Sequence, residues 1–233
     1  MSIAEQRHAV LLRLQAACEA HGRTPASVRL LAVSKTFDAD AVLQAWRAGQ
    51  REFGENYIQE GVDKIARLRE LQPDGAWVWH CIGPVQSNKT RLVAEHFDWL
   101  HTVDRLKIAQ RLNEQRPAHL PPLNVCLQVN IDGGDTKSGV APHEALGLAQ
   151  ALLALPRLRL RGLMTIPDPV DDMVAVHTRA RVLFEDLQRA LALPDFDTLS
   201  MGMSGDMDAA VQAGSTMVRV GSAIFGTRPP KTA

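Results

Sequence analysis

The chain has 233 residues, of which 45% are hydrophobic and 22% are charged, and its 26 basic and 26 acidic side chains leave no formal net charge. This balance excludes the basic surface that binding to nucleic acid or to an anionic membrane normally needs. There is no apolar run of the ~18–20 residues that cross a bilayer, no secretory signal and no metal-ligand spacing among the three cysteines, so we expect a cytoplasmic protein with reduced thiols and no metal.

Short apolar strands alternate with helix-length segments from end to end. A helix over about residues 3–21 comes first, and eight strand candidates follow, near residues 30, 52, 79, 99, 126, 162, 199 and 218. Eight βα units in a chain of this length are typical of a closed barrel. We therefore predict an α/β fold: a single (β/α)8 TIM barrel over residues 1–233 with an extra N-terminal helix. The sixth strand is irregular, because Arg157, Arg159 and Arg161 alternate with leucines in a strand that should be buried on both faces.

In such a barrel the chemistry lies at the C-terminal ends of the strands. Lys35 follows Leu31 and Val33 at strand spacing, so the three side chains share one face. Apolar neighbours could lower the pKa of the lysine and make it a nucleophilic amine. The alternative is an ordinary solvated lysine at a strand end.

Two glycine-containing loops follow the seventh and eighth strands. Residues 199–206 carry Ser200, Ser204 and two glycines between a strand and the next helix, and Arg219 precedes Gly221 and Ser222. Loops in these two places commonly bind phosphate in barrels through their backbone N–H groups. Two tight turns that need glycine for steric reasons would give the same pattern.

Several other polar residues have ordinary structural interpretations. His80 lies inside an apolar strand and is expected to be a hydrogen-bonded core histidine. The Glu55-Asn56 pair either lies at the barrel mouth or caps the next helix, and Thr102 or Asp104 is placed to cap the helix after the fourth strand. Loop charges and turn or cap residues make up the rest: Asp132, Asp135, Lys137, Asp168, Asp171 and Asp172.

Together, these segments resemble the YggS/PROSC-type pyridoxal 5′-phosphate (PLP) homeostasis proteins. The matching segments occur in family order over nearly the whole chain: 31–35, 53–57, 80–89, 129–139, 162–166, 199–206 and 218–226. Each segment is weak evidence alone, but the set is specific. One departure is Cys81, where the family often has a bulkier apolar or aromatic residue.

The resemblance implies a barrel like the N-terminal domain of bacterial alanine racemase, with PLP as its cofactor. It implies that Lys35 forms a Schiff base with PLP and that Arg219 faces the pyridine nitrogen. It also implies that Asn56 lies near the ring. The phosphate would be held by Ser200, Ser204, Gly221 and Ser222. A permanently cationic arginine keeps the pyridine nitrogen unprotonated, which weakens the ring as an electron sink.

Three functions are consistent with a Schiff-base lysine in such a barrel. The first, which we favour, is a monomeric, non-catalytic protein that buffers PLP or delivers it to PLP-dependent apo-enzymes, with no catalytic residues of its own. The second is an amino-acid racemase; racemases of this type add a β-rich domain with a catalytic tyrosine, whereas this sequence ends seven residues after Gly226 and has Tyr57 as its only tyrosine. The third is a Schiff-base aldolase without a cofactor, which would leave the glycine-containing loops unexplained.

Overall fold

Eight parallel strands close into a barrel in chain order, and β8 pairs with β1. The computed structural model describes residues 1–134, 138–169 and 172–227. The strands are β1 (Arg29–Val33), β2 (Glu52–Glu55), β3 (Val78–Cys81), β4 (Trp99–Val103), β5 (Leu123–Gln128), β6 (Leu158–Met164), β7 (Thr198–Ser200) and β8 (Met217–Val220). The predicted (β/α)8 barrel is confirmed, and each strand lies where the apolar runs indicated.

Helices cover the outside of the barrel. They are α1 (Ile3–Ala20), α2 (Ala39–Arg47), α3 (Ile58–Leu71), α4 (Thr90–His96), α5 (Leu106–Gln115), α6 (Ala145–Leu152), α7 (Met173–Leu191), α8 (Met207–Gln212) and α9 (Ser222–Phe225). The predicted N-terminal helix is α1, which packs against α8 and α9. None of the helices within the described ranges is long and apolar enough to cross a membrane.

A β-bulge explains the irregular pattern of β6. Leu158 and Leu160 face the helices, as Leu163 does, and the register against β5 shifts between Leu160 and Gly162. The extra residue at this shift is Arg161, so the strand keeps its apolar outer face while one arginine leaves the ladder. Arg161 donates to Asp197 at 2.6 Å, and its guanidinium lies 4.8 Å from the ring centre of Trp99.

The capping predictions had mixed outcomes. Thr102 lies inside β4 and donates its hydroxyl to the Gly83 carbonyl at 2.7 Å, and α5 begins after Arg105 without a side-chain cap, so the prediction of a Thr102 or Asp104 cap was wrong. The helix after β2 begins at Ile58, so Asn56 does not cap it. Asp172 does cap α7, because it accepts a hydrogen bond from the Ala175 N–H. Asp135, Lys137 and Asp171 lie outside the described residues.

The apolar residues form an outer and an inner core. The outer core fills the space between strands and helices. The inner core consists of two small groups inside the barrel: Leu31, Val33, Ile82 and Met217, and Trp99, Cys126 and Met164. Buried polar side chains are present as well, and they hydrogen-bond to one another: His80, His101, Ser200 and Arg219.

Candidate functional site

A cavity of about 330 Å³ opens at the C-terminal ends of the strands. Of the seven residues that the sequence singled out, it brings together six: Lys35, Asn56, Ser204, Arg219, Gly221 and Ser222. Its wall is completed by Val33, Ile82, Ile166, Met203 and Gly205. Ser200 alone is not on the wall.

The turn that carries Lys35 is held by a buried group of charges behind it. Just before Lys35, Ser34 donates its hydroxyl to Glu55 Oε1 at 2.6 Å, and its carbonyl oxygen accepts a hydrogen bond from Lys64 Nζ at 2.8 Å. Just after Lys35, the Thr36 N–H donates to Glu60 Oε1 at 2.6 Å. Thr36 has a φ of 70°, a left-handed conformation that a threonine rarely adopts. These bonds on both sides fix the backbone of Lys35.

Glu55 belongs to this group and not to the cavity wall. It is fully buried and lies 2.8 Å from Lys64 Nζ, which also contacts Glu60 at 2.7 Å. Burial raises the pKa of Glu55, and the ammonium group of Lys64 opposes that rise. The sequence placed Glu55 beside Asn56 at the mouth but missed Lys64, whose i,i+4 spacing from Glu60 was the available signal.

Asn56 is held at the mouth by a close approach between two loops. A Cβ atom on Gly83 would lie 2.0 Å from the carbonyl oxygen of Asn56. Only glycine therefore lets the loop after β3 pack against the loop after β2. Gly83 was part of a matching segment of the sequence, and this contact gives it a physical reason.

Arg219 is a buried cation that faces the cavity. It is 4% exposed and donates to Ser200 Oγ and to the Thr165 carbonyl, both at 2.9 Å. Among the described residues no carboxylate lies within ion-pair distance of it. Burial lowers the pKa of Arg219 to about 10, so the side chain stays protonated at neutral pH. A buried cation without a carboxylate partner favours a ligand that supplies a hydrogen-bond acceptor.

Ser200 lies below the cavity and supports Arg219. It is fully buried, and its Oγ is 3.0 Å from Nδ1 of His101. Nε2 of His101 in turn lies 2.9 Å from Nδ1 of His80, which confirms His80 as a hydrogen-bonded core histidine. The sequence analysis did not single out His101, although it follows the inward-facing Trp99 at strand spacing.

The two glycine-containing loops leave backbone donors at the cavity. The N–H groups of Ser204, Gly205, Ser222 and Ala223 have no hydrogen-bond partner among the described residues. A Cβ atom on Gly221 would lie 3.1 Å from the carbonyl oxygen of Val33, so this loop passes close to the end of β1. Clustered N–H groups beside two serine hydroxyls suit an anion such as a phosphate group.

The site therefore combines three binding elements: an amine, a fixed guanidinium and a set of anion-binding donors. Together they suit a ligand that carries an electrophilic carbonyl, a ring with an acceptor atom and an anionic group. No cluster of three metal-ligating side chains occurs in the parts of the chain that the structure describes.

Comparison with known proteins gives three close matches. The alanine racemase N-terminal domain family matches residues 13–229. The chain is 55% identical over 229 residues to a protein of Vibrio cholerae named pyridoxal phosphate homeostasis protein, covering 97% of each chain. It is 36% identical to the solved structure of PipY from Synechococcus elongatus PCC7942 with PLP bound, with a TM-score of 0.82, covering 97% of this chain and 100% of that one.

A more distant structural match concerns the fold alone. The structure of alanine racemase from Corynebacterium glutamicum is 18% identical, with a TM-score of 0.67, and the match covers 99% of this chain but 62% of the racemase. This barrel therefore corresponds to one part of the racemase chain.

Proposed function

The chain belongs to the alanine racemase N-terminal domain family, among its YggS/PROSC-type pyridoxal phosphate homeostasis proteins, and we propose that it binds PLP at Lys35 and buffers or delivers the cofactor. The observation that carries this proposal is the buried Arg219, which has no carboxylate partner among the described residues and shares one cavity with Lys35.

The residues of the cavity fit PLP part by part. PLP supplies an aldehyde that condenses with a neutral lysine amine, releasing water, and an electron-withdrawing pyridine ring. Arg219 would donate to the ring nitrogen, and because the arginine stays cationic it keeps a proton off that nitrogen. The N–H groups and hydroxyls of Ser204 and Ser222 would bind the phosphate, and Asn56 would lie beside the ring.

Ser200 takes a different part in this proposal from the one that the family resemblance implies. A fully buried hydroxyl below the cavity supports the guanidinium of Arg219 from behind. We therefore assign the phosphate to Ser204, Gly221 and Ser222, and the support of Arg219 to Ser200.

A carrier fits this cavity better than a racemase. Its described wall contains no carboxylate, histidine or tyrosine, and Lys35 is its one amine. Two-base racemisation needs an acid or base on each side of the substrate carbon. Tyr57, which is 50% exposed, is not on the wall. Turnover of alanine or serine at ordinary enzyme rates by the PLP-loaded protein would contradict the carrier role.

The decisive experiment is borohydride reduction of PLP-incubated protein followed by intact-mass measurement and peptide mapping. We expect one reduced pyridoxyl phosphate group per chain, on Lys35. Lys35→Ala should abolish it, whereas Lys107→Ala, which removes an exposed lysine of α5, should not. An adduct that persists in Lys35→Ala, or that is spread over surface lysines, would overturn the assignment.

Delivery needs a second measurement. The PLP-loaded protein is mixed with an excess of a PLP-dependent apo-enzyme, and the recovered activity is followed over time. The rate of this transfer is compared with the rate at which the protein releases PLP into buffer. Equal rates indicate buffering, and faster transfer indicates direct delivery.

A further inference from the structure

A line of polar side chains runs through the barrel from its floor to the cavity. It begins with Glu52 at the start of β2, whose Oε2 lies 3.9 Å from Nε2 of His80. His80 bonds His101 at 2.9 Å, His101 bonds Ser200 at 3.0 Å, and Ser200 bonds Arg219 at 2.9 Å. The cavity residue Arg219 is thus connected to groups that lie outside the cavity.

The chemistry of these groups gives the hydrogen bonds one direction. A guanidinium can only donate, so Ser200 Oγ accepts from Arg219. The hydroxyl proton of Ser200 has no acceptor other than Nδ1 of His101 among the described residues, so we assign this nitrogen as unprotonated. His101 therefore carries its proton on Nε2 and donates it to Nδ1 of His80.

Neither histidine adds a positive charge beside Arg219. Both are fully buried, and burial lowers the pKa of His80 and of His101 well below the usual value. Each histidine is thus a neutral imidazole with one donor and one acceptor nitrogen. Glu52 is near the floor end of the line, where burial raises the pKa of its carboxyl although the positive charge of Arg29 opposes this rise.

Packing against Trp99 also holds the imidazole of His80. The ring of His80 stacks on Trp99 at a centroid distance of 5.2 Å and an interplanar angle of 13°. The guanidinium carbons of Arg29 and Arg161 lie 4.9 Å and 4.8 Å from the centre of the Trp99 ring. The line is therefore anchored at the barrel floor, and among the described residues Arg219 is the member of the line that reaches the cavity.

We propose that His101 is a positioning residue for Arg219, acting through Ser200 and held by His80. Nδ1 of His101 accepts the hydroxyl proton of Ser200, so the lone pairs of the Ser200 oxygen remain available to the guanidinium of Arg219. This hydrogen bond then fixes where the guanidinium lies in the cavity. The proposal rests on the proposed function, because the position of Arg219 matters to PLP only if PLP binds there.

The first test needs no PLP. In ligand-free protein labelled with 15N-histidine, NMR should show His101 as the neutral tautomer protonated on Nε2. Ser200→Ala should shift the Nδ1 resonance of His101, whereas Met164→Leu, a volume-conserving change in the same barrel interior, should leave it in place. A His101 protonated on Nδ1, or equal shifts in the two variants, would overturn the proposal.

The second test uses the PLP-loaded protein. His101→Leu removes the acceptor, and we expect an altered absorption spectrum of lysine-bound PLP and release about tenfold faster, the effect of about 1.4 kcal/mol. His101→Asn keeps an acceptor oxygen near the position of Nδ1 and should restore most of the wild-type spectrum. If His101→Leu and His101→Asn lose thermal stability together but keep the wild-type spectrum, His101 has only a structural role.

The two proposals fail in different ways. If no lysine-bound PLP forms in the wild-type protein, the proposed function fails while the NMR arm still decides whether Ser200 links His101 to Arg219. If lysine-bound PLP forms and its spectrum is the same in His101→Leu, the proposed function stands and the positioning role is wrong.

Discussion

Nε2 of His177 lies 2.8 Å from Oδ2 of Asp206, and this contact ties the long helix α7 to the loop that carries Ser204. The other carboxylate oxygen of Asp206 accepts a hydrogen bond from the Met203 N–H at 2.7 Å. Asp206 thus closes the turn over residues 203–206, and a fully buried histidine holds Asp206 in place. The position of the proposed phosphate-binding loop depends on these two residues, neither of which lines the cavity.

The first prediction concerns Asp206→Asn. Burial alone would raise the pKa of Asp206, but the hydrogen bonds from His177 and Met203 outweigh it and lower the pKa. The carboxylate therefore stabilises the fold at pH values above its unfolded pKa of about 3.9, and this contribution is lost as the pH falls through the lower folded value. We expect Asp206→Asn to lose about 1.5–3 kcal/mol in urea unfolding at pH 7.

The pH dependence provides the control for Asp206. The difference between wild type and variant should be present at pH 5 and shrink as the pH falls below about 3.9. A difference that does not depend on pH down to 3 would show that the carboxylate charge is not what holds the loop.

The second prediction concerns the ion pair behind Lys35. Lys64→Met leaves Glu55 buried without a cation, which we expect to cost about 3–5 kcal/mol at pH 7. Because the folded pKa of Glu55 is raised, the fold favours the protonated carboxyl. The contribution of Glu55 to stability is therefore fully present below the unfolded pKa of about 4.3 and is lost as the pH rises through the folded value. Loss of Lys64 raises that pKa further, so the variant should be less destabilised at pH 5 than at pH 7 in urea unfolding.

A double variant isolates the buried charge. Glu55→Gln combined with Lys64→Met has no uncompensated carboxylate and should be more stable at pH 7 than Lys64→Met alone. Equal stability of the two would mean that the loss in Lys64→Met comes from packing and not from charge.

The third prediction concerns Gly83→Ala. The added methyl group would meet the Asn56 carbonyl at 2.0 Å, so the two loops must separate. We expect a loss of about 1–3 kcal/mol in unfolding free energy and weaker PLP binding, measured by fluorescence titration. Gly147→Ala is the control, because its methyl group meets nothing within 4 Å and lies in helix α6. It should stabilise the protein by about 0.5–1 kcal/mol and leave PLP affinity unchanged.

The fourth prediction concerns the thiols. Cys18, Cys81 and Cys126 are free and fully buried, and burial raises the pKa of Cys81 and of Cys126 to about 12. We expect the native protein to react slowly with Ellman's reagent at pH 8, and the protein unfolded in guanidinium chloride to release three equivalents at once. Rapid reaction of Cys81 or Cys126 in the native state would show that the barrel opens readily, whereas reaction of Cys18 would report on α1.

The sequence predicted the barrel because its signals are local. Each strand is a short apolar run, and the helix α7 is marked by apolar residues at helical spacing from Val176 to Leu191. The exception was β6, where Arg161 broke the pattern. A bulge depends on the register between two strands, and no single segment contains that register.

The residues on the cavity wall were also accessible from sequence. Arg219 lies near the end of β8, Lys35, Ser204, Gly221 and Ser222 come after strands, and the barrel places the C-terminal ends of all strands on one face. Position along the chain was therefore enough to predict that these side chains meet.

Only the tertiary structure could identify the residues that hold this wall in place. Lys64 reaches Glu55 from the next helix, and His177 reaches Asp206 from α7. Ser200 lies between His101 and Arg219 below the cavity, and these three side chains come from three different strands. The sequence by itself determined which side chains reach the mouth, since strand order and alternation fix that. The fold decided which buried polar groups become partners, because a hydrogen bond requires two atoms to lie within about 3 Å of each other, a distance that only packing sets.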